Sequence, residues 1–470
     1  MTDFVKNLLV NLEPSEELPK KVTAFELSRN DKFNIELTVF SHANDKPQPK
    51  NIPLGLVYTS NNHINLKGYI GSGNLHGIFN TNVNSTLSSH NPTTATKSKY
   101  NINRINYTIS DSPINYTVDR IANLPSHYLW PSSLNDKVSG QHERNFAGAP
   151  PIKIDITLTS TQDSKRTCAR FVFGEHIAII STMESENIPR SKGPGYIYYS
   201  GNPDTETREK IRASLSYAFG LPLVYLGSCF YQETGGLVSF EAVSPSTIGG
   251  RAWEVISQPF SPITTDGSNW LDESLLQKTA QAFFDNYDSM ELRNFLFRLW
   301  HAEVSPTHMK AAYYGAMIES IQNRETQKNN SGISRTIIEK PEYRKAIKIL
   351  SRFLQKQAIP EESKELLLHK IQGGNQAPQR IIAERFYTKL GLTLGNLELS
   401  AWSKRNDAAH GNEQLPHTKI DNYRSTKLLR IILGRIVTKI LGTSSQYIDY
   451  YTLYHPIRNL NEAIPQDSEE

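Results

Sequence analysis

At 470 residues the chain is longer than one ordinary hydrophobic core accommodates, so we expect about two to four domains. A composition of 38% hydrophobic, 21% charged and 10% aromatic residues is typical of a globular protein and excludes a disordered one. The 51 Lys and Arg residues against 47 Asp and Glu residues give a formal charge of +4, which permits a polyanionic partner without requiring one.

The first third of the sequence has the pattern of β-strands. Residues 33–40 alternate, with Ile35, Leu37 and Val39 on one predicted face. Asn, Ser and Thr dominate residues 80–99, which we predict to form a long mobile loop. Further strands are predicted at residues 54–58, 63–70, 100–109 and 114–121.

A second β-rich block follows a predicted linker at residues 132–151. Its first strand, residues 152–158, carries apolar residues at the even positions, and further strands are predicted at residues 168–173, 176–181, 223–226 and 237–243. Between them lies one predicted helix. Asp204 is a good N-cap for it, and Gly220 marks its end.

From about residue 268 the apolar residues recur with helical spacing. Helices are predicted at residues 271–284, 290–300, 307–324, 343–357, 363–371, 379–390 and 420–441. The fold class is therefore α+β, a β-rich N-terminal module followed by an all-α C-terminal bundle. We place the domains at 1–145, a β-rich subdomain; 150–262, an α+β subdomain and candidate sensor; and 268–460, the helical domain.

Several classes of protein and site are disfavoured. Two cysteines, Cys168 and Cys229, cannot build a disulfide framework or a Cys-rich zinc site, and we expect both to be buried in a reducing compartment. The most apolar helical window, residues 428–441, contains three basic residues, and the N-terminus lacks the pattern of a secretory signal. We therefore expect a cytoplasmic protein with no membrane partner, no metal and no cofactor, since phosphate loops and metal-ligand spacings do not occur.

One stretch, residues 403–411, carries chemistry. Arg405 and His410 are five positions apart, with four residues between them. Two other Arg–His pairs with four to six intervening residues, Arg120/His127 and Arg170/His176, lie in predicted β regions and are attributed to chance. The context distinguishes the third pair. Asn406 follows the arginine, two alanines precede the histidine, Gly411 follows it, and predicted helices flank the whole stretch.

The string Arg405-Asn406-x-x-x-His410 between two helices resembles the motif of HEPN (higher eukaryotes and prokaryotes nucleotide-binding) ribonucleases. Two further segments look like helices of HEPN proteins in bacterial phage defence. They are residues 295–299, and residues 314–321 with Glu319. The resemblance covers roughly residues 285–445. The N-terminal half is reminiscent of ApeA-type defence proteins, although no motif matches there.

The resemblance implies metal-independent RNA cleavage, with the ribose 2′-hydroxyl as nucleophile and two motifs paired across a homodimer. Arg405 would bind the phosphate, His410 would transfer the proton, Asn406 belongs to the same motif, and Glu319 would hold Arg405 in place. Five positions rotate by about 140° on a helix, so Arg405 and His410 of one chain do not share a face. The RNA substrate, tRNA among the candidates, is not specified, and the N-terminal half is expected to recognise a phage-derived trigger.

Each assignment has a structural alternative. In the alternative to catalysis, Arg405 and Asn406 are solvated, His410 caps a helix end, and Glu319 faces solvent.

Four basic residues form a stripe on one predicted helix face: Lys345, Lys348, Arg352 and Lys356. The stripe either follows an RNA backbone or is a solvated helix face. The rival function is a non-catalytic HEPN module that dimerises or binds a nucleotide, with a β half that binds protein or carbohydrate.

Overall fold

The computed structural model is a mixed α+β protein that divides into two compact units, Met1–Trp300 (unit 1) and His301–Glu470 (unit 2). It describes residues 11–42, 63–86, 95–125, 130–134, 137–146, 152–161, 165–182, 192–249, 272–328, 332–409 and 419–466; near several gaps, including residues 405–409, only the backbone is described. The predicted order, a β-rich part followed by a helical part, is confirmed. The predicted domain boundaries near residues 145 and 262 stay predictions.

Unit 1 is organised by one antiparallel sheet of 13 described strands, with a separate two-stranded hairpin. The strands are β1 (Asn11–Leu12), β2 (Val22–Arg29), β3 (Ile35–His42), β4 (His63–Lys67), β5 (Ser72–Thr86), β6 (Ala95–Thr108), β7 (Tyr116–Pro125), β8 (Ser132–Leu134), β9 (Lys137–Phe146), β10 (Ile152–Thr161), β11 (Lys165–Phe173), β12 (His176–Thr182), β13 (Lys192–Ser200), β14 (Tyr225–Tyr231) and β15 (Leu237–Val243). The sheet order is β1-β4-β5-β6-β15-β14-β7-β13-β12-β11-β8, and β3 joins β2 to β6.

The predicted alternation in β3 is confirmed. Ile35, Leu37 and Val39 are buried in a core that also receives side chains from β4, β5, β6 and β15. Apolar residues two positions apart point to the same side of a strand, so this one face of β3 is removed from water.

The predicted loop at residues 80–99 is wrong. Most of it belongs to β5 and β6, a long hairpin whose register runs from Ser72↔Thr108 to Thr86↔Ala95. On its other edge β6 pairs with β3 and then with β15. Thr96 and Ser98 are fully buried in β6, although their polarity favoured a loop. A strand bonded along both edges satisfies its backbone polar groups, and composition does not report those cross-strand partners.

The predicted linker at residues 132–151 is also wrong in its first part, because β8 and β9 lie there. All ten residues of β9 pair with β10, from Lys137↔Thr161 to Phe146↔Ile152. The predicted strand that begins at Ile152 is confirmed. The predicted strand at residues 54–58 lies outside the described residues.

Within the described residues, three helices belong to unit 1 or cross its boundary: α1 (Thr205–Phe219), α2 (Glu273–Asp285) and α3 (Leu292–Val304). A single helical turn at Ser246–Gly249 precedes α2. Both predicted ends of α1 are confirmed. Asp204 Oδ1 accepts a hydrogen bond from the Thr207 amide at 2.6 Å, and Gly220 takes the left-handed conformation with φ 69°. A second core joins α1 and α2 to β7 and β11–β13.

Unit 2 is helical. Its helices are α4 (Thr307–Gln327), α5 (Lys340–Gln355), α6 (Glu361–Gly373), α7 (Gln379–Leu390), α8 (Asn396–Ala409) and α9 (Lys419–Leu441), followed by the hairpin β16 (Gln446–Ile448) and β17 (Ile457–Asn459). The predicted helices are confirmed. The apolar side of α9, which includes Leu429, Ile432 and Ile436, is buried, and α4 and α8 pack against α9.

Candidate functional site

The predicted motif lies at the end of α8. Arg405 and Asn406 occupy its last turns, and the helix ends at Ala409. The side chains of Arg405 and Asn406, and His410 altogether, lie outside the described residues. The predicted helices on either side of the motif, at residues 379–390 and 420–441, are present as α7 and α9, whereas α8, which contains Arg405 and Asn406 themselves, was not predicted.

A buried ion pair fixes the first turn of α8. The Arg435 guanidinium, on α9, contacts the Glu398 carboxylate through Nη1, and both side chains are almost fully buried. Arg435 Nε and Nη2 donate to the carbonyls of Leu460 and Thr393 at 3.0 and 2.9 Å. The other Glu398 oxygen accepts from the amides of Gly395 and Ile464 at 2.8 and 3.3 Å.

The pair is therefore bonded on every side, which is what a buried charge pair requires. Burial raises the pKa of Glu398, and the facing Arg435 and the two amides oppose that shift. One signal of this pair was visible before the structure, namely Arg435 within the apolar window of α9, and we interpreted it only as evidence against a membrane span.

Chain length favours one direction of α8 relative to α9. With the Cα atoms of Glu398 and Arg435 level, a parallel pair would separate Ala409 from Lys419 by about 40 Å along the axes. Ten residues of chain span at most about 35 Å, which favours an antiparallel arrangement. In that arrangement the end of α8 lies level with the first half of α9.

The neighbourhood of that end is basic. Lys404 on α8 and Arg424 on α9 are exposed, and the half-buried Lys427 lies 5.2 Å from the ring centroid of Tyr423. Asp421 is an exposed carboxylate in the first turn of α9. This surplus of positive charge suits a polyanionic ligand near Arg405.

Glu319, the predicted support of Arg405, is half-buried on α4. This helix packs against both α8 and α9, so Glu319 belongs to the same helical assembly as the motif. Because the Arg405 side chain lies outside the described residues, the predicted contact between them stays a prediction.

The predicted basic stripe lies on α5 and just beyond its last residue. Lys345, Lys348, Arg352 and Lys356 are all exposed, and none of the four side chains forms an ion pair with another described residue. Among the described residues no carboxylate pairs with them, which permits the predicted contact with phosphates and equally permits a solvated face.

Sequence reasoning missed a polar cluster that joins α3, α4 and α9. Glu303 Oε1 accepts a hydrogen bond from the Tyr314 hydroxyl at 2.8 Å and lies 2.8 Å from Arg430 Nε. Lys310 Nζ donates to the Glu303 carbonyl at 2.8 Å. Burial raises the pKa of Tyr314 and lowers that of Lys310. With its carboxylate matched by a guanidinium and a hydroxyl, this cluster acts to fix three helices together.

A second missed cluster surrounds Asp119 in unit 1. Its fully buried carboxylate accepts hydrogen bonds from Tyr199 Oη at 2.8 Å and Ser228 Oγ at 2.6 Å, and it contacts the guanidinium of Arg212. Arg208 Nε lies 3.8 Å away. Burial, and then the Asp119 charge, hold the pKa of Tyr199 well above its usual range. The network ties α1 to the sheet.

Other expectations concern cysteines, metals and membranes. Cys168 and Cys229 are both buried, as predicted, and they are not joined in a disulfide. Within the part of the chain that the structure describes, no three His, Cys, Asp or Glu residues are grouped to hold a metal ion. No helix among those described is long and apolar enough to cross a bilayer.

Comparison with known proteins leaves the HEPN resemblance as a hypothesis. No family model, no curated protein and no solved structure matches this chain.

Proposed function

We propose that the chain is a HEPN-type, metal-independent endoribonuclease of bacterial anti-phage defence, acting by abortive infection. The observation that carries the proposal is the position of Arg405, in the last turns of a helix whose first turn is anchored to α9 by a buried ion pair. The resemblance places the catalytic motif between two such helices. The basic residues Lys404, Arg424 and Lys427 near that end favour RNA as the ligand.

The proposed chemistry uses two side chain types. The Arg405 guanidinium binds the scissile phosphate in a bidentate manner and stays charged while negative charge builds up on the pentavalent phosphorus. His410 accepts the proton of the 2′-hydroxyl or donates one to the departing 5′-oxygen, because an imidazole titrates near neutral pH. Asn406 belongs to the same site. The products are a 2′,3′-cyclic phosphate and a 5′-hydroxyl.

One chain offers one motif histidine, whereas this reaction needs a base and an acid. We therefore propose a homodimer in which each chain contributes one motif, with Glu319 supporting Arg405. Each reaction would then use one histidine from each of the two chains.

The direct test incubates purified protein with total RNA and with tRNA, in the presence and absence of EDTA, followed by mapping of the cleaved ends. We expect cleavage that EDTA does not inhibit, with 5′-hydroxyl ends that polynucleotide kinase labels directly. Ends that carry a 5′-phosphate, or complete loss of cleavage in EDTA, would contradict the mechanism. Intact RNA together with tight RNA or nucleotide binding would favour the non-catalytic HEPN module.

Substrate contact is proposed for the basic stripe on α5. Replacing Lys345, Lys348, Arg352 and Lys356 with alanine should lower RNA affinity and flatten its salt dependence. For single-stranded RNA each lost phosphate contact lowers the slope of log K against log salt by about 0.7, so four lost contacts lower it by about 3.

The matched control for the stripe is Arg380→Ala on α7, an exposed arginine outside the stripe. It should leave the salt slope unchanged. If the fourfold variant binds RNA with the wild-type slope, the stripe is a solvated helix face.

We further propose that unit 1 recognises a phage-derived trigger and restrains the nuclease. Asp119→Asn weakens the network around β7 and α1 and should raise basal RNA cleavage while lowering the unfolding temperature of unit 1. If unit 1 loosens, as seen by hydrogen exchange in β7 and α1, and cleavage stays at the wild-type rate, the restraint hypothesis is wrong.

A further inference from the structure

The outer face of the first half of α9 carries apolar and basic side chains together. We call this surface the α9 patch, and it consists of Ile420, Tyr423, Arg424 and Lys427. These positions follow the helical spacing i, i+3, i+4 and i+7, so they lie within about 100° on one face of the helix. The opposite face of α9 is buried in the bundle.

The apolar members of the α9 patch are exposed. Ile420 is 66% exposed and Tyr423 is 53% exposed. Solvated helix faces normally carry polar side chains. Since neither residue contributes to the core of the bundle, packing does not account for an aromatic side chain at position 423.

A lysine is held beside the aromatic ring. Lys427 Nζ lies 5.2 Å from the ring centroid of Tyr423, which is a cation–π contact. Arg424 is exposed, and by helical position it lies next to both. The exposed Asp421 borders the patch on the side of Arg424. With two cations against one bordering carboxylate, the patch keeps a net positive charge.

The α9 patch also lies close to the motif. Helix α8 packs against α9, and helices in contact are about 8–10 Å apart. In the favoured antiparallel arrangement, the end of α8 that contains Arg405 is level with the part of α9 that carries the patch. A short stretch of single-stranded RNA covers that distance.

An aromatic ring among cations selects one kind of ligand. Unpaired bases stack on exposed aromatic side chains, and the phosphates on either side of such a base bind adjacent cations. In a duplex the neighbouring base pairs cover both faces of each base, so Tyr423 would have no role. A second copy of the patch, docked face to face across a two-fold axis, would set one net positive surface against another, which is unfavourable.

We propose that Tyr423 is a base-stacking residue of the RNA site. An unpaired base stacks on its ring, Ile420 extends the apolar platform, and Arg424 and Lys427 bind the flanking phosphates. The inference rests on the proposed function, since it specifies the form in which RNA occupies that same site, a strand with an unpaired nucleotide close to the scissile phosphate.

The test measures binding to the full chain without cleavage. The probes are short 2′-O-methyl RNA strands, in which the methyl group removes the nucleophile, and each carries 2-aminopurine at a different position. The fluorescence of 2-aminopurine falls when the base stacks on an aromatic ring. We expect the wild-type protein to quench the label in the single strand and to bind the same strand more weakly once a complementary strand is annealed.

Variants at position 423 separate stacking from simple contact. Tyr423→Ala should lower the affinity for the single strand about fivefold or more and remove the quenching by the protein. Tyr423→Phe should keep both properties, whereas Tyr423→Leu should lose the quenching. Lys427→Ala should lower the slope of log K against log salt by about 0.7.

The matched control is Tyr454→Ala, which removes another exposed tyrosine of unit 2. Tyr454 lies in the C-terminal hairpin, whose Tyr447 contacts Arg435, about 18 Å along α9 from Tyr423. This variant should bind the single strand and quench the label as the wild-type protein does.

Several results would overturn the stacking proposal. These are wild-type affinity and quenching in Tyr423→Ala, an equal loss in Tyr454→Ala, or binding of the duplex as tight as that of the single strand. A lower mass of Tyr423→Ala in sedimentation would assign the patch to a contact between two copies of the chain and would also overturn the proposal.

Cleavage of unmodified RNA is scored separately, so the two proposals can fail independently. Quenching that depends on Tyr423, in a protein that leaves RNA intact, would keep Tyr423 as a stacking residue and contradict the nuclease. Cleavage without such quenching would support the nuclease and contradict the stacking role of Tyr423.

Discussion

Replacement of His410 by alanine is expected to abolish RNA cleavage by the purified protein. A positioned general acid or base typically contributes at least about 100-fold, and alanine can do neither task. The phosphate-binding Arg405 is untouched, so RNA binding should stay near the wild-type level while the rate of cleavage falls. Single-turnover cleavage of labelled tRNA, with affinity measured separately, separates the two quantities.

The matched control is His63→Ala, which removes an exposed histidine on β4 in unit 1. It should cleave RNA at the wild-type rate. Both variants should keep the wild-type mass in sedimentation. Unchanged cleavage by His410→Ala would remove the motif from the mechanism and return the chain to the non-catalytic alternative.

Mixed dimers test the need for two motifs. When wild-type and His410→Ala chains are co-expressed with different tags, the activity of the pool should follow the square of the wild-type fraction, because only dimers with two histidines have both an acid and a base. Activity proportional to the wild-type fraction would show that one motif is sufficient. If two motifs are needed, purified mixed dimers that carry one tag on each chain should be inactive.

The ion pair between Glu398 and Arg435 is expected to make a large contribution to the stability of unit 2. Glu398→Ala should lower the free energy of unfolding of unit 2 by about 3–5 kcal/mol, because it leaves the Arg435 guanidinium buried without a countercharge. It also removes the acceptor for the amides of Gly395 and Ile464. Trp402 is a buried residue of the same helix. Urea unfolding monitored by tryptophan fluorescence therefore measures the change in the free energy of unfolding.

Two companion variants give this prediction its controls. Glu398→Gln keeps an acceptor oxygen and most of the volume, so it should be destabilised less than Glu398→Ala. Arg424→Ala removes an exposed arginine from the same helix as Arg435 and should change stability by no more than about 0.5 kcal/mol. A wild-type midpoint for Glu398→Ala would show that the pair contributes nothing to unit 2.

Most helices and about half of the strands were predictable because their signals are local. Asp204 and Gly220 mark the ends of α1 through hydrogen bonds and a backbone conformation within a few residues, and α7 begins and ends at the predicted residues. In β3 a period of two, carried by Ile35, Leu37 and Val39, is sufficient to indicate the buried face.

The hairpin of β5 and β6 was not predictable for the opposite reason. Its Asn, Ser and Thr residues are typical of loops when read alone, and only pairing with β3 and β15 makes them strand residues. The same holds for the network of Asp119, Tyr199 and Arg212, whose members are widely separated in sequence and acquire a common role only when α1 packs on the sheet.

For the candidate site, the motif from Arg405 to His410 could be recognised from residue identity alone, and helical period predicted α9 after it, since both are properties of one short stretch. How that stretch is anchored, and that α8 contains Arg405, became apparent only in the folded chain. The pairing of Glu398 with Arg435 joins residues 37 positions apart and ties the first turn of α8 to α9. Long-range contacts of this kind depend on which surfaces meet in the folded chain, and no local pattern encodes them.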